Sequence, residues 1–215
     1  MYIYIVVLVH SVCRNLYLCP EKNVMKLTEY IQKRVPLLPG DAQLVDELFD
    51  YRELYKGDNV LNERSYARKV FFIEEGLVRM YYEKDGKDVT HYFFTENMFY
   101  LHIENLFQST NYPYRLELLE NCKLRTVEYD KLKDFVIIQN KLQVLFFGLF
   151  IDFIKILSNR LSSIQFQSAY ERYNFMMDSY RDILLRAPLG HIASYLGITQ
   201  QTLSVIRAEK SKKPK

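Results

Sequence analysis

The sequence predicts an α+β chain in which an antiparallel β-rich middle is followed by one long helix and then by a short helical unit. Three observations predict it. Over residues 53–129 apolar and polar residues alternate in short runs, punctuated by Glu75-Gly76 and Asp85-Gly86, which supply the positive-φ residue of tight hairpin turns. Over residues 142–164 apolar residues step by three or four. After Pro188 a glycine separates two short helical patterns, and the chain closes on a basic run.

Residues 1–24 match neither a helical nor a strand period, whereas Met25 leads directly into the amphipathic opening Lys26-Leu27-Thr28-Glu29-Tyr30-Ile31. They are either an N-terminal arm or an over-called start. The apolar stretch that begins them is far shorter than the ~20 residues of a spanning helix and has no Lys or Arg before it, so neither a membrane span nor a signal peptide is expected. Leu27, Tyr30, Ile31 and then Leu44, Val45, Leu48 and Phe49 recur at helical spacing around Pro36 and Pro39-Gly40, which predicts two short helices reaching about Tyr51. Strands follow at Val70-Phe71-Phe72-Ile73, at residues 77–82 and 89–94, and at 116–119 and 124–129. Helices and strands together make a first domain of residues 25–138.

A long helix over residues 139–167 carries Leu142, Leu145, Leu149, Phe153, Ile156, Leu157, Leu161 and Ile164. One neighbouring β-unit does not cover so much apolar surface, so these residues are expected to pack against a second copy in a homodimer; burial within a monomer is the alternative. Residues 168–215 form the last domain. It opens with one helix over residues 168–186, with Tyr173, Met176, Met177, Tyr180, Ile183 and Leu184 on one face.

From Pro188 to Arg207 the grammar is that of a helix-turn-helix, with a plain pair of packed helices as the alternative. Pro188 suits a first helical turn, Ile192, small Ala193 and Leu196 make a buried face, and Gly197 supplies the left-handed residue of a sharp turn. Ile198 plugs the gap between the helices and Thr199 caps the second one, whose Leu203 and Ile206 face inward. Gln200, Gln201, Thr202, Ser204 and Arg207 are left on the open edge, as candidates for contacts to base edges of double-stranded DNA. Thr199, Lys210, Lys212 and Lys213 are candidates for phosphate contacts, although the basic tail reads equally well as a solvated end. His191 is either a further phosphate contact or a structural histidine.

Composition narrows the function classes. The net charge is only +3, but five of the nine residues from Arg207 onward are Lys or Arg against one Glu, so the basic charge sits where the helical pair is. Cys13, Cys19 and Cys122 form no disulfide framework, which fits a reducing cytoplasm. There is no phosphate-cradling glycine loop, paired-histidine motif or nucleophile elbow, and the four histidines are scattered; no catalysis, catalytic residue or metal is expected.

Two stretches carry a family resemblance. The run Ile192-Ala193-Ser194-Tyr195-Leu196-Gly197-Ile198-Thr199 with Thr202-Leu203-Ser204, and the run Phe72-Ile73-Glu74-Glu75-Gly76-Leu77-Val78-Arg79, are similar to the DNA-reading motif and the β-roll hairpin of the Crp/Fnr family of bacterial transcription regulators. The resemblance spans residues 25–210. It implies a cyclic-nucleotide-binding-like antiparallel β-roll, a long dimerisation helix and a C-terminal helix-turn-helix domain, in a cytoplasmic homodimer that binds DNA, with RNA polymerase as a further partner. Departures limit what it implies about ligands. Where cyclic-nucleotide binders carry a Gly-Glu pair and an Arg-Ser/Thr-Ala segment, this chain has residues 98–104 and then Asn111-Tyr112-Pro113-Tyr114-Arg115. Cyclic AMP and cofactors are therefore not expected, and any pocket for an unknown small-molecule effector would draw on His102, Glu104 and Arg115, the last also reading as a surface arginine. Many relatives carry Glu and Arg where this chain has Gln201 and Val205, so the operator is not predicted, and the wing after Arg207 is expected to be short or missing. The iron-sulfur members' cysteines find only a thin echo in His10, Cys13, Cys19 and Cys122, and Cys122 reads more simply as a small buried hydrophobe. The competing function is a ligand-sensing or protein-interaction module that does not bind DNA.

Overall fold

The structure is a computed structural model, and it describes residues 24–58, 68–101 and 114–212. The arm expected at residues 1–24 lies outside them but for Val24. Helix α1 (Leu27–Gln32) opens with Glu29 reaching back to the backbone N–H of Lys26 at 3.3 Å, and α2 (Pro39–Leu48) begins on Pro39, where a missing N–H costs nothing. Strand β1 (Asp50–Leu54) follows at once, so the helical region ends earlier than the periodicity predicts: Phe49 is already extended, at φ −102° and ψ 119°. The remaining strands are β2 (Lys69–Glu75), β3 (Val78–Lys84), β4 (Lys87–Phe94), β5 (Phe99–Leu101), β6 (Tyr114–Leu118) and β7 (Cys122–Glu128).

They form two antiparallel sheets, one in the order β1-β7-β2-β5 and one in the order β4-β3-β6. Each sheet is covered on both faces. In β2, Val70 and Phe72 point into a core shared with Leu27, Tyr30, Ile31 and Val45, while Phe71 and Ile73 point the other way, between the sheets, to meet Val78, Tyr92, Phe94 and Leu118. That is why the run Val70-Phe71-Phe72-Ile73 is apolar throughout instead of alternating.

Helix α3 (Tyr129–Ile138) leads into α4 (Asn140–Phe166), the long helix. Its apolar residues divide between two faces, and the division corrects the expected dimer set. Leu142 and Leu145 are buried in the chain's own first core, with Leu149 packed beside them, and Ile156 packs against the core between the sheets; Phe153 is half-buried. Helix periodicity locates an apolar stripe, but only the tertiary contact shows which stripe the roll takes. The exposed stripe is Phe147, Phe150, Ile154, Leu157, Leu161 and Ile164, which step by three and four over the length of the helix. By length and hydropathy alone α4 would also cross a membrane.

The helix expected over residues 168–186 is two helices, α5 (Ala169–Ser179) and α6 (Arg181–Arg186). Tyr180, at φ −139° and ψ 37°, breaks the run without any Pro or Gly to announce it, and the break lets Tyr173, Met176 and Ile183 enter one core. A reciprocal capping box starts α5, with Ser168 accepting from the Glu171 N–H and Glu171 accepting from the Ser168 N–H at 2.7 Å. Helices α7 (Leu189–Leu196) and α8 (Gln200–Lys212) complete the described chain, and α8 runs five residues beyond Arg207.

Of the glycines with positive φ, Gly197 and Gly76 are constrained for different reasons. Gly197, at φ 69°, has open space around its Cα, whereas Gly76, at φ 120°, lies so close to Cys122 that a Cβ there would meet the thiol and backbone of that residue. Gly197→Ala is expected to cost about 1–2 kcal/mol of backbone strain alone. Gly76→Ala adds an overpacking cost of roughly 1–3 kcal/mol, so denaturant midpoints should order the two variants with Gly76→Ala the less stable.

Candidate nucleic-acid interface

The last two helices meet at a sharp turn built from local chemistry. Gly197 (φ 69°, ψ 35°) ends α7, the Ile198 N–H returns to the Ala193 carbonyl at 3.0 Å, and the Thr202 N–H is capped by the Thr199 hydroxyl at 3.1 Å. Ile192, Ala193, Leu196, Leu203 and Ile206 are buried, and Ile198 packs against them as the expected plug. The open edge of α8 then carries Gln200, Gln201, Thr202, Ser204, Val205 and Arg207, all exposed. Thr202 shares its hydroxyl with Thr199 at 2.9 Å, and the Ser204 hydroxyl donates back to the Gln200 carbonyl at 2.9 Å, so the two glutamines and Arg207 are the side chains of that edge with the longest reach. Arg207 and Arg181 line a hollow of about 150 Å³ together with Tyr173, Met177 and Leu203.

The expected phosphate contacts fare unevenly. Thr199 is exposed but its oxygen is engaged in the cap. Lys210 is turned inward: its ammonium donates to Asn174 Oδ1 at 2.7 Å and lies 5.8 Å from the Tyr173 ring, fastening α8 to α5. Lys212 ends the described helix and Lys213 lies outside the described residues. His191 faces the roll. Its Nδ1 is buried with no hydrogen-bond partner among the described residues, and its pKa is lowered by burial and by Arg79, against the opposing pull of Glu117 and Asp88.

Sequence reasoning missed the surface on which the helical pair sits. Helix α7 docks on the outer face of the β4-β3-β6 sheet, where Phe93, Leu77 and Leu119 join the core of the helical unit. Ser194 Oγ accepts the Thr90 N–H at 2.9 Å and donates to the Asp88 carbonyl at 3.3 Å. The Tyr195 ring lies 5.4 Å from that of Phe93, and the Arg160 guanidinium stacks over the Tyr195 ring at 3.8 Å. Arg79, 2% exposed, reaches Asp88 at 2.9 Å and Glu117 at 2.8 Å beneath this contact. Arg186, at the end of α6, pairs with Glu96 at 2.8 Å and also with Glu120 and Asp182. A charged residue inside the apolar strand pattern at Arg79 is the one local sign of such a contact.

Of the three residues named for an effector pocket, Arg115 is exposed on the edge strand β6, opposite Tyr81, and His102 and Glu104 lie outside the described residues. Cys122 is 2% exposed and burial pushes its thiol up to about 12, as suits a small hydrophobe. No group of three or more metal-ligating side chains occurs among the described residues, and His10, Cys13 and Cys19 lie outside them.

The half-buried His191 should make the docked state sensitive to acid. Because its folded pKa lies below the ordinary value of about 6.5, its contribution is fully present above that pH and is lost as pH falls through 6.5 towards the depressed value. Thermal midpoints measured from about pH 7.5 down to 5 should fall less for His191→Gln than for the parent chain.

Residues 51–138 match the family profile described as the cyclic nucleotide-binding domain. No curated protein matches the chain by sequence. Among solved structures, the chain is similar to a mutant of CooA from Carboxydothermus hydrogenoformans, at 18% identity and TM-score 0.63 over 78% of each chain. It is similar to FixK2 from Bradyrhizobium japonicum at 18% identity and TM-score 0.63, over 75% of this chain and 83% of that one. A protein from Eubacterium rectale described as a transcriptional regulator of the crp/fnr family aligns at 14% identity and TM-score 0.60, over 82% and 85% of the two chains. The resemblance read from two short stretches thus holds for the fold: residues 51–138 match the cyclic nucleotide-binding domain profile, and an antiparallel β-roll followed by a long helix is the fold this chain shares with these solved structures.

Proposed function

We propose that the chain is a DNA-binding transcription regulator, non-enzymatic and cytoplasmic, that acts as a homodimer. The observation that carries the proposal is the edge of α8: Gln200, Gln201 and Arg207 stand exposed just past a capped, glycine-turned helix junction, where amide and guanidinium groups suit adenine and guanine edges. Thr202 and Ser204 join them, with Thr199 and the lysines after it serving phosphates. Lys210 reaches a phosphate only by leaving Asn174, so Arg207 and the last lysines carry most of that term.

The dimer reading rests on the exposed stripe of α4. Phe147, Ile154 and Leu161 alternate with Phe150, Leu157 and Ile164 at a spacing of seven within each set, which is the seam of a two-stranded coiled coil. Asp152, Lys155 and Arg160 on the same helix suit a protein partner better than a lipid one. A β-roll whose Arg115 points to solvent fits a small-molecule effector other than cyclic AMP, or none. RNA polymerase is a partner only by extension from the fold.

Binding to duplex DNA should weaken with salt, the logarithm of the affinity falling by about 0.9 per phosphate neutralised for each decade of salt. Arg207→Ala should cost about 1–3 kcal/mol on the selected site, read by mobility shift. No retarded duplex at low salt would assign the α8 edge to a protein partner instead. For the seam, Ile154→Asp should yield a folded monomer by light scattering, since the side chain is exposed, whereas Leu145→Ala should cost about 2–5 kcal/mol of folding stability.

A further inference from the structure

We infer that Arg160, Tyr195 and Arg186 are positioning residues that clamp the helix-turn-helix to the long helix and the β-roll, and so fix the spacing at which a dimer reads two half-sites. The inference rests on the preceding reading that the chain binds DNA as a dimer through α4 and α8. A helix of eight residues such as α7 leaves its last carbonyls without partners inside the helix, at the negative end of its dipole. Arginines from two other helices meet them: Arg160 of α4 donates to the Tyr195 carbonyl at 2.7 Å, and Arg172 of α5 donates to the Leu196 carbonyl at 2.9 Å. Arg160 also stacks on the Tyr195 ring, whose other neighbours, Phe93 and Tyr92, belong to β4. Tyr195 therefore joins strand, long helix and DNA unit at one point.

Arg160 stands in the same turn of α4 as the exposed Leu157 and Leu161, so one side chain links the dimer seam to α7. Arg186 adds a second clamp. Its partners Glu96 and Glu120 sit in the turns after β4 and β6, and it is only 11% exposed, which ties the end of α6 to the roll at a distance from the first clamp. Two separated attachments restrict rotation as well as translation. Throughout, the edge of α8 stays open, so the clamped arrangement leaves the recognition residues free to meet a duplex. A two-fold pair of helices held in this way accepts half-sites at one separation and discriminates against the others.

The experiment uses the full chain and duplexes carrying two copies of its half-site, selected from randomised DNA, with spacers of graded length. The parent protein should prefer one spacing by at least about tenfold. Arg160→Ala, checked to remain dimeric, should flatten that preference while keeping its affinity for a single half-site. Arg160→Lys should restore part of it, because an ammonium can still meet the carbonyl and the ring. A second readout needs no DNA: the Thr90 amide, bonded to Ser194, should exchange slowly with solvent in the parent and about tenfold faster in Arg160→Ala or in the milder Ser194→Ala, with the Leu124 amide unchanged. Wild-type spacing preference and Thr90 protection in Arg160→Ala would overturn the positioning role. A parent protein that retards no duplex would remove the DNA reading and the spacing claim with it, a result distinguishable because Thr90 protection would persist.

Discussion

Burial of both faces of the β4-β3-β6 sheet is the constraint on which the architecture depends. Tyr92 and Phe94 fill the space between the sheets, while Phe93 points the opposite way into the core of the helical unit with Leu77 and Leu119. The helical unit is small, residues 169–212, and a unit of that size buries little apolar surface by itself. Sharing Phe93, Leu77 and Leu119 with the roll enlarges its core. It also means that α7 cannot leave the sheet without exposing apolar surface on both sides of the contact. The helix-turn-helix is thus part of the fold's layering and not an appendage to it.

Charge defines where that contact forms. Arg79 is buried beneath α7 against Asp88 and Glu117, with its guanidinium 4.1 Å from the Tyr81 ring, and Arg186 meets three carboxylates at the far side of the interface. Desolvating such groups offsets much of their mutual attraction, so they add less to strength than to geometry. A guanidinium surrounded by carboxylates of fixed position tolerates little sliding, because a shifted pose would leave a buried charge unmatched. The apolar layer holds α7 on the sheet; Arg79 pairs only within the sheet beneath it, whereas Arg186, crossing from α6 to Glu96 and Glu120 of the roll, determines where the helical unit rests.

What was legible in the sequence follows the range of the interactions. The turn at Gly197, the cap at Thr199 and the inward Leu203 and Ile206 depend on neighbours within a few residues, and a sequence displays those directly. Five of the seven strands were legible because alternation is local as well, although residues buried on both faces, as in β2, blur it; β1, almost wholly exposed, and β5, three residues long, carry no alternation to read. The pairs Ser194 with Thr90, Arg186 with Glu96 and Lys210 with Asn174 lie 104, 90 and 36 residues apart, and no local pattern marks them. For that reason the sequence offers Lys210 as a phosphate candidate without showing that its ammonium also fastens α8 to α5 through Asn174. The start of α4 is a different case: it is apolar on two faces, so periodicity finds both Leu142-Leu145 and Phe147-Phe150 without ranking them, and only contact with α1 and α2 assigns the first pair to the core.

The same division of α4 bears on how the parts communicate. Its first turns are built into the core beneath β2, its middle presents Ile156 to the core between the sheets, and its later turns deliver Arg160 to Tyr195. A helix is stiff along its axis, and packed cores respond to displacement by stepping between arrangements instead of deforming smoothly. A change in the roll that moves the Leu142 and Leu145 anchorage therefore moves the exposed stripe and the Arg160 clamp together. Any pairing of two copies through the exposed stripe and the placement of α8 are in this sense one variable, because the helix that carries the stripe is also the helix that caps α7.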